Sequence, residues 1–554
     1  MTDSTDNQTP ATQAPTKVGD ENAALTWLAA LFIIALGIPF RWFLLDAFCL
    51  DFDESMHFQV AKEPTVTAAW KASRGYTHPP LMFVIYHLLL PLGDSEAALR
   101  MPAFVCSLSA LALAFLWLKE LLGRGPALIG LTFLTFSMPM IHLASQMRSY
   151  MTLFTLVFGA LYLLERFNQR RSLRDLVVAH VLLLIAIFTH YVTAWLLLSL
   201  GLLMLVRIAS GTLTRREVAV WAGGQFALLG GCLVHLQHVR SFVGSSGQHE
   251  LWDHWLRISA FDAETTHPVA LALGHAAEYI AFLAGSWWQV FALGIVVGAV
   301  VLATQTWREK RSRLLSLERA LLVLLPFGIA MLLFHLRIYP LGPTRHSLWL
   351  IPFAAAGVSA AAVPLLRASR QIGGAVLTVA LAGWIWVYSW QSVEQLHSNQ
   401  TPALMQKTVQ LIRKRVPPGA TLLTDQSTRY VLDYYLARGT LNPPQDLGSS
   451  YKQFQIEDYR VISIPKFHFY MYDLRSDWDT FQQALGDDAT RPLWVVYFGF
   501  DSEDANLGNI YRRFPPGDLK VRFSHQDNQV MQVQFRPPAS RKETASATHV
   551  MPAN

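Results

Sequence analysis

A cluster of acidic residues opens the first long polar segment of the chain, directly after its first apolar run. Asp51, Asp53, Glu54 and His57 all lie within the sequence LDFDESMH. Ionisable groups beside an apolar helix are costly unless they face water or a cavity, so such a cluster is a functional hypothesis. A carboxylate here could take the proton of a hydroxyl nucleophile as a general base. Solvated loop residues would give the same pattern.

The same carboxylates are also a candidate metal site. Asp51, Asp53 and Glu54 could hold a divalent cation, because carboxylate oxygens are common ligands of such ions. His57 and His78 lie in the same segment and could orient a substrate or join that site. Their spacing matches no defined metal motif, so the sequence predicts no certain cofactor and leaves a divalent metal open.

Two isolated arginines, Arg148 and Arg345, lie in short turns between apolar runs. A leaving phosphate needs positive charge, and a guanidinium supplies it through paired planar donors. Either arginine could instead extend toward lipid headgroups. Arg100, inside the second apolar run, is a further candidate for binding a phosphate, although it could pair with Asp53 or Glu54.

The elements that must position these residues are apolar helices. Of the 554 residues, 52% are hydrophobic and 15% are charged, whereas an ordinary soluble domain carries about a quarter charged residues. One large soluble core is a poor alternative, because such cores stop growing at about 250–300 residues. The basic residues form short clusters between apolar runs, which does not indicate a nucleic-acid partner. The composition predicts a polytopic protein of the lipid bilayer.

Eleven apolar runs are candidate spans at about 20 residues per span, although those between 127 and 206 are short. The candidates lie near 23–45, 97–118, 127–142, 150–165, 176–190, 195–206, 218–238, 282–304, 320–336, 348–366 and 373–390. With the N-terminus inside, the inner loops contain 16 Lys and Arg and the short outer turns contain 3. This asymmetry predicts a cytoplasmic N-terminus. Segments 46–96 and 239–281 and the chain end then lie outside.

The chain divides into four predicted regions. We expect a disordered cytoplasmic tail over 1–22 and a membrane module over 23–392, in which 46–96 is the first extracytoplasmic loop. From about residue 391, strand-like runs at 421–424, 460–464, 493–498 and 530–535 alternate with helix-like runs. This alternation predicts a small extracytoplasmic α/β domain over 393–539. A flexible tail over 540–554 is expected to follow.

The motifs of the first outer segment follow one another in a specific order. The Asp-Glu pair at 53–54 precedes HPPL at 78–81, GDSE at 93–96 and LRMP at 99–102. This order resembles the bacterial relatives of the protein O-mannosyltransferases and of the lipid A aminoarabinose transferase, which are GT-C glycosyltransferases. The aminoarabinose transferases often have lysine where His78 stands, so the resemblance does not indicate their particular substrate.

The resemblance implies a mainly α, polytopic GT-C fold in the inner membrane and a sugar donor attached to a polyprenyl phosphate. It implies that Asp53 is the catalytic base, with Glu54 beside it. Turns similar to those of the family place Tyr150, His190 and Tyr191 among the residues that bind the donor or substrate. One base and one displacement would invert the anomeric carbon. The acceptor could be a glycan, a lipid or a protein.

Two other function classes stay open. A lipid or sugar transporter, or a flippase, would also place polar residues at membrane depth, but it predicts discontinuous helices and repeated halves. The acidic cluster lies in one asymmetric loop, and the sequence shows no internal repeat. A binding or assembly module anchored by the spans is the other alternative, and eleven spans exceed what an anchor requires.

Overall fold

The structure is a computed structural model, which describes most of the membrane region and much of the C-terminal region. The described residues are 18–76, 78–240, 267–308, 313–395, 401–439, 445–447, 451–466, 468–486, 488, 491–499, 514, 517–525 and 528–535. Residues 1–17 of the predicted N-terminal tail and the predicted tail 540–554 lie outside these ranges. So does most of the predicted outer segment 239–281.

The N-terminal two thirds of the described chain are helical. The helices before residue 240 are α1 (Val18–Leu44), α2 (Phe52–Ala61), α3 (Val66–Ala72), α4 (Pro80–Leu89), α5 (Glu96–Leu122), α6 (Arg124–Phe136), α7 (Met138–Leu143), α8 (Tyr150–Arg170), α9 (Leu173–Thr189), α10 (Thr193–Ala209) and α11 (Arg215–Val239). Those that follow are α12 (Pro268–Ala284), α13 (Trp288–Arg308), α14 (Arg313–His335), α15 (Ile351–Ala361), α16 (Val363–Ala368) and α17 (Arg370–Gln395).

Eight helical segments among the described residues are long and apolar enough to cross a membrane. They are Ala23–Leu44, Glu96–Leu122, Tyr150–Arg170, Arg215–Gln237, Pro268–Thr306, Arg313–His335, Arg345–Ala368 and Gln371–Tyr388. Each contains one of the eleven predicted spans or overlaps most of it. The prediction of a mainly α, polytopic membrane protein is therefore confirmed.

The other three predicted spans are shorter helices. The run at 127–142 is divided between α6 and α7 because the backbone of Ser137 is extended, and α9 and α10 have 17 residues each. The structure also adds α12, an apolar helix of 17 residues that the sequence analysis assigned to an outer segment.

Close contacts fix the helices that approach the site. Gly298 of α13 and Gly357 of α15 touch, since a Cβ at residue 298 would lie 1.9 Å from the Gly357 carbonyl oxygen. Arg207 of α10 pairs with Glu318 of α14 at 2.9 Å, and both side chains are buried. Such buried ion pairs hold a fixed geometry because the loss of one partner leaves an uncompensated charge. Helix α13 therefore packs closely on α15, and α10 is joined to α14.

The described residues of the C-terminal region form a seven-stranded mixed sheet with helices packed against it. Its elements are α18 (Pro402–Arg415), β1 (Thr421–Thr424), α19 (Gln426–Leu432), β2 (Gln445–Asp446), β3 (Lys452–Ile456), β4 (Tyr459–Ser463), α20 (Trp478–Leu485), β5 (Leu493–Tyr497), β6 (Gly517–His525) and β7 (Asn528–Phe535). The strand order is β2-β3-β4-β1-β5-β7-β6, with β1 parallel to β4 and β5. The predicted α/β character of this region is confirmed.

This C-terminal domain packs directly on the acidic loop, residues 46–96. Cys49 and Phe52 belong to the same buried cluster as Met405, Leu422 and Val496 of the domain. The two regions therefore share one hydrophobic core, and burial of this apolar surface favours their association.

Candidate active site

Helix α2 carries the acidic cluster, and the cluster itself forms the start of the helix. The Asp51 carboxylate accepts a hydrogen bond from the Glu54 amide at 2.7 Å, and the Glu54 carboxylate accepts one from the Asp51 amide at 3.1 Å. This reciprocal arrangement is a capping box, which satisfies amides that the first turn of a helix leaves unpaired. Asp51 and Glu54 therefore place Asp53 on the first turn of a buried helix.

Arg100 and Glu54 form a buried ion pair behind this turn. The Arg100 guanidinium donates to both Glu54 oxygens, at 2.9 and 2.7 Å. Its remaining hydrogen bonds go to the carbonyl oxygens of Leu45, Phe48 and Cys49, at 2.8 to 3.0 Å. These bonds occupy its five N–H donors, so Arg100 holds the chain after α1 and has no N–H left for a phosphate.

The Glu54 carboxylate is also occupied by bonds within the protein, because it accepts a further 2.7 Å hydrogen bond from the Met147 amide. Burial alone would raise the pKa of Glu54, but the Arg100 charge and these hydrogen bonds outweigh it and lower the pKa. The carboxylate is therefore ionised and fully bonded to the protein. It orients the turn that carries Arg148, one residue after Met147.

Asp53 faces the two isolated arginines that the sequence singled out. Arg148 donates to the Asp53 carboxylate and lies 3.4 Å from Asp51, while the Arg345 Nη2 atom is 2.8 Å from the Asp53 Oδ2 atom. Burial alone would raise the pKa of Asp53, but the charges of Arg148 and Arg345 outweigh it and hold the pKa well below its ordinary value. Residues almost 300 positions apart thus converge on one carboxylate.

The two arginines differ in exposure and in spare donors. The Arg148 side chain is 1% exposed, and its Nε and Nη1 atoms find no hydrogen-bond partner among the described residues. The Arg345 side chain is 30% exposed. A buried guanidinium with unpaired donors is unfavourable. Both groups could therefore bind an anion that enters beside Asp53.

His57 and His78 lie on the other side of Asp53. The His57 Nδ1 atom donates to the Asp53 carbonyl oxygen at 2.7 Å, and its ring stacks on Phe83 with centroids 4.6 Å apart. The His78 ring follows at 4.9 Å from His57. Burial lowers the pKa of His57 to about 4 and that of His78 well below its ordinary value. Both imidazoles are neutral at pH 7, which suits them to bond hydroxyls rather than phosphate.

The three remaining predicted residues separate into two environments. The Tyr150 ring lies 4.8 Å from the His190 ring. The charges of Arg345 and Arg148 act on His190, so His190 borders the two arginines. Tyr191 instead packs edge-on against His235, with centroids 5.3 Å apart. The structure thus brings Tyr150 and His190 to the site and directs Tyr191 away from it.

The described residues do not converge as ligands of a metal ion. They contain no group of three or more His, Cys, Asp or Glu side chains that could hold one. The carboxylates of Asp51, Asp53 and Glu54 contact arginines instead, namely Arg148, Arg345 and Arg100. This donor set does not fit the divalent cation that the sequence left open.

The C-terminal domain supplies contacts that the sequence analysis missed. The Gln59 amide of α2 donates to the Asp433 Oδ2 atom at 2.8 Å, and the Arg429 Nη1 atom lies 3.4 Å from the Gln59 Oε1 atom. Burial raises the pKa of Asp433 to about 6 although Arg429 opposes this. The Tyr435 hydroxyl accepts from the Leu50 amide at 3.0 Å. No local pattern indicated these pairs, because more than 350 residues separate their members.

A family model covers part of the chain. Residues 77–235 match the family model of dolichyl-phosphate-mannose-protein mannosyltransferase. This segment includes Arg100, Arg148 and His190 and excludes Asp53 and Arg345. No curated protein matches the sequence.

Several solved structures are similar to the chain. ArnT from Cupriavidus metallidurans in the apo state is 13% identical, with a TM-score of 0.54 over 93% of this chain and 98% of ArnT. ArnT bound to undecaprenyl phosphate is 14% identical, with the same TM-score and coverage. The apo oligosaccharyltransferase of Archaeoglobus fulgidus is 10% identical, with a TM-score of 0.47 over 84% of this chain and 69% of that chain.

The two ArnT structures confirm the predicted fold, and the family match over residues 77–235 agrees with the predicted GT-C resemblance. At such low identity, the ArnT structures show the fold alone. The family match and the fold together support a membrane glycosyltransferase.

Proposed function

We propose that this protein is an inverting GT-C glycosyltransferase that moves a sugar from a polyprenyl-phosphate donor to an acceptor hydroxyl, with Asp53 as the general base. The observation that carries the proposal is the buried carboxylate of Asp53 beside two arginines, of which Arg148 has unpaired donors. A base and a cationic phosphate site are the two groups that such a displacement needs. ArnT, which has this fold, is known bound to undecaprenyl phosphate.

Asp53 and the two arginines have different roles in the proposed reaction. Arg148 and Arg345 bind the donor phosphate and stabilise the negative charge that grows on it as it leaves. Asp53 takes the hydroxyl proton of the acceptor while the hydroxyl oxygen attacks the anomeric carbon. A single displacement from the face opposite the phosphate inverts that carbon. The lipid phosphate leaves as a stable anion and requires no acid.

The remaining site residues position these groups. Glu54 and Arg100 fix the first turn of α2 and the turn that precedes Arg148. His57 donates through Nδ1, so its Nε2 atom is an acceptor for a sugar or acceptor hydroxyl. His78, Tyr150 and His190 complete the wall around Asp53 and the arginines.

The proposal includes a location. We place the N-terminus in the cytoplasm, because Lys and Arg concentrate in the loops that lie on the same side of the membrane as the N-terminus. The acidic loop and the C-terminal domain then lie outside the inner membrane. On that side a lipid-borne sugar meets a water-borne hydroxyl. Labelling from each side of sealed vesicles should modify a cysteine introduced in the acidic loop only from outside.

Release of free polyprenyl phosphate tests the activity. The purified full-length protein in proteoliposomes is supplied with a radiolabelled sugar on undecaprenyl phosphate and with cell-envelope extracts as acceptor. We expect transfer of the label and stoichiometric release of the lipid phosphate. Movement of the intact donor across the bilayer without its cleavage would identify a flippase instead.

A further inference from the structure

Asp53 and a lipid phosphate require the same two guanidinium groups. Arg148 and Arg345 both bond the Asp53 carboxylate, and both are the cations that the proposed function assigns to the donor. Each arginine bonds Asp53 through its Nη2 atom, and a phosphate that binds the other N–H donors shares the same positive charge, which weakens the attraction to Asp53. The base and the donor therefore compete.

The charges around Asp53 come from several elements. Arg148 lies in the turn before α8, Arg345 precedes α15 and His78 precedes α4. On its own helix, Asp53 has Asp51, Glu54 and His57 as neighbours. Two full positive charges thus face Asp53 from other elements, and Glu54 is neutralised by Arg100. A carboxylate held by two guanidinium ions is a weak base, because both stabilise its ionised form.

We propose that the donor phosphate displaces Asp53 from Arg148 and Arg345, so that Asp53 becomes an effective base only when the lipid-linked donor is bound. This inference rests on the proposed function. The exchange makes and breaks hydrogen bonds only. Afterwards Asp53 accepts the acceptor's hydroxyl proton, the hydroxyl oxygen bonds to the anomeric carbon, and the lipid phosphate leaves with the electron pair of the broken bond.

Competition predicts that removal of the Asp53 charge improves lipid binding. Binding of undecaprenyl phosphate, the lipid without a sugar, is measured on the full-length protein in nanodiscs for the wild type and for Asp53→Asn. We expect the variant to bind about tenfold more tightly, because its arginines no longer have to leave a carboxylate first. Glu96→Gln is the matched control, because this substitution also removes a carboxylate of the acidic loop. Glu96 accepts a hydrogen bond from the Tyr435 hydroxyl and contacts neither arginine of the proposed donor site. This control should bind the lipid as the wild type does.

Equal or weaker binding by Asp53→Asn than by Glu96→Gln would overturn the competition. A wild-type protein that binds no undecaprenyl phosphate would instead remove the polyprenyl-phosphate donor of the proposed function, and the competition with it.

A second measurement uses only the wild type and does not depend on folding of the variant. The acid limb of kcat at saturating donor reports the donor complex, and that of kcat/KM for the donor reports the free enzyme. The acid limb of kcat should lie at higher pH, because in the donor complex Asp53 no longer bonds Arg148 and Arg345. Coincident limbs would contradict the inference.

Discussion

The burial of Asp433 makes the stability of the protein depend on pH, although its contact with Gln59 opposes the effect. Asp433 is fully buried, and its pKa rises from 3.8 to about 6. The folded protein thus keeps a proton that the unfolded chain has lost, so stability falls as pH rises from about 4 to 6. About two pKa units at roughly 1.4 kcal/mol each give a loss of about 3 kcal/mol. Asp433→Asn keeps an acceptor for Gln59 and removes this loss.

We therefore expect Asp433→Asn to melt near the wild-type temperature at pH 4.5 and above it at pH 7. Melting temperatures of the detergent-solubilised proteins, followed by intrinsic fluorescence at half-unit pH steps, measure the difference. Asp473→Asn, which removes an exposed carboxylate of the same domain, controls for net charge. A difference between Asp433→Asn and the wild type that is constant with pH would refute the reasoning.

Three further predictions concern the site and its supports. Asp53→Asn should abolish sugar transfer in the proteoliposome assay while its melting temperature stays within a few degrees of the wild type, and retained activity would remove Asp53 as the base. Arg345→Ala should raise the KM for the lipid donor about tenfold or more through loss of a charge-assisted bond, and an unchanged KM would remove Arg345 from the proposed donor site. Gly439→Ala should loosen the C-terminal domain, because residue 439 has a φ of +72° and its Cβ would lie 2.8 Å from Phe58. Limited proteolysis would reveal this as faster cleavage near residue 440, and an unchanged pattern would contradict it.

The general fold could be predicted from the sequence because its signals are local. Long apolar runs are determined by the thickness of the bilayer, and all eight long spans were located in this way. The short helices α9 and α10 were also found, although their length does not distinguish spans from other apolar helices. The C-terminal strands β1, β4, β5 and β7 followed from short apolar runs. Strands β3 and β6 were missed because polar residues alternate through them.

The residues of the site could be predicted only in part. Asp53, Arg148 and Arg345 were identified because each is an ionisable group beside an apolar run, which the membrane makes unusual. The partner of Arg100 was left open, since a sequence cannot show whether an arginine in a span faces Asp53, Glu54 or lipid. Contacts of the C-terminal domain have no such signal. Gln59 and Asp433 are ordinary polar residues until the fold brings them together.

The shared core of the acidic loop and the C-terminal domain has a consequence for synthesis. Leu50 and Tyr435 are 385 residues apart, yet they bond directly behind Asp53. The ribosome therefore synthesises Asp53, the proposed base, early and the surface that packs behind it only near the end of translation. A chain that stops before residue 400 would already be threaded through the bilayer and would still lack a formed α2 environment. Under the proposed function, sugar transfer would begin only when the C-terminal domain has folded.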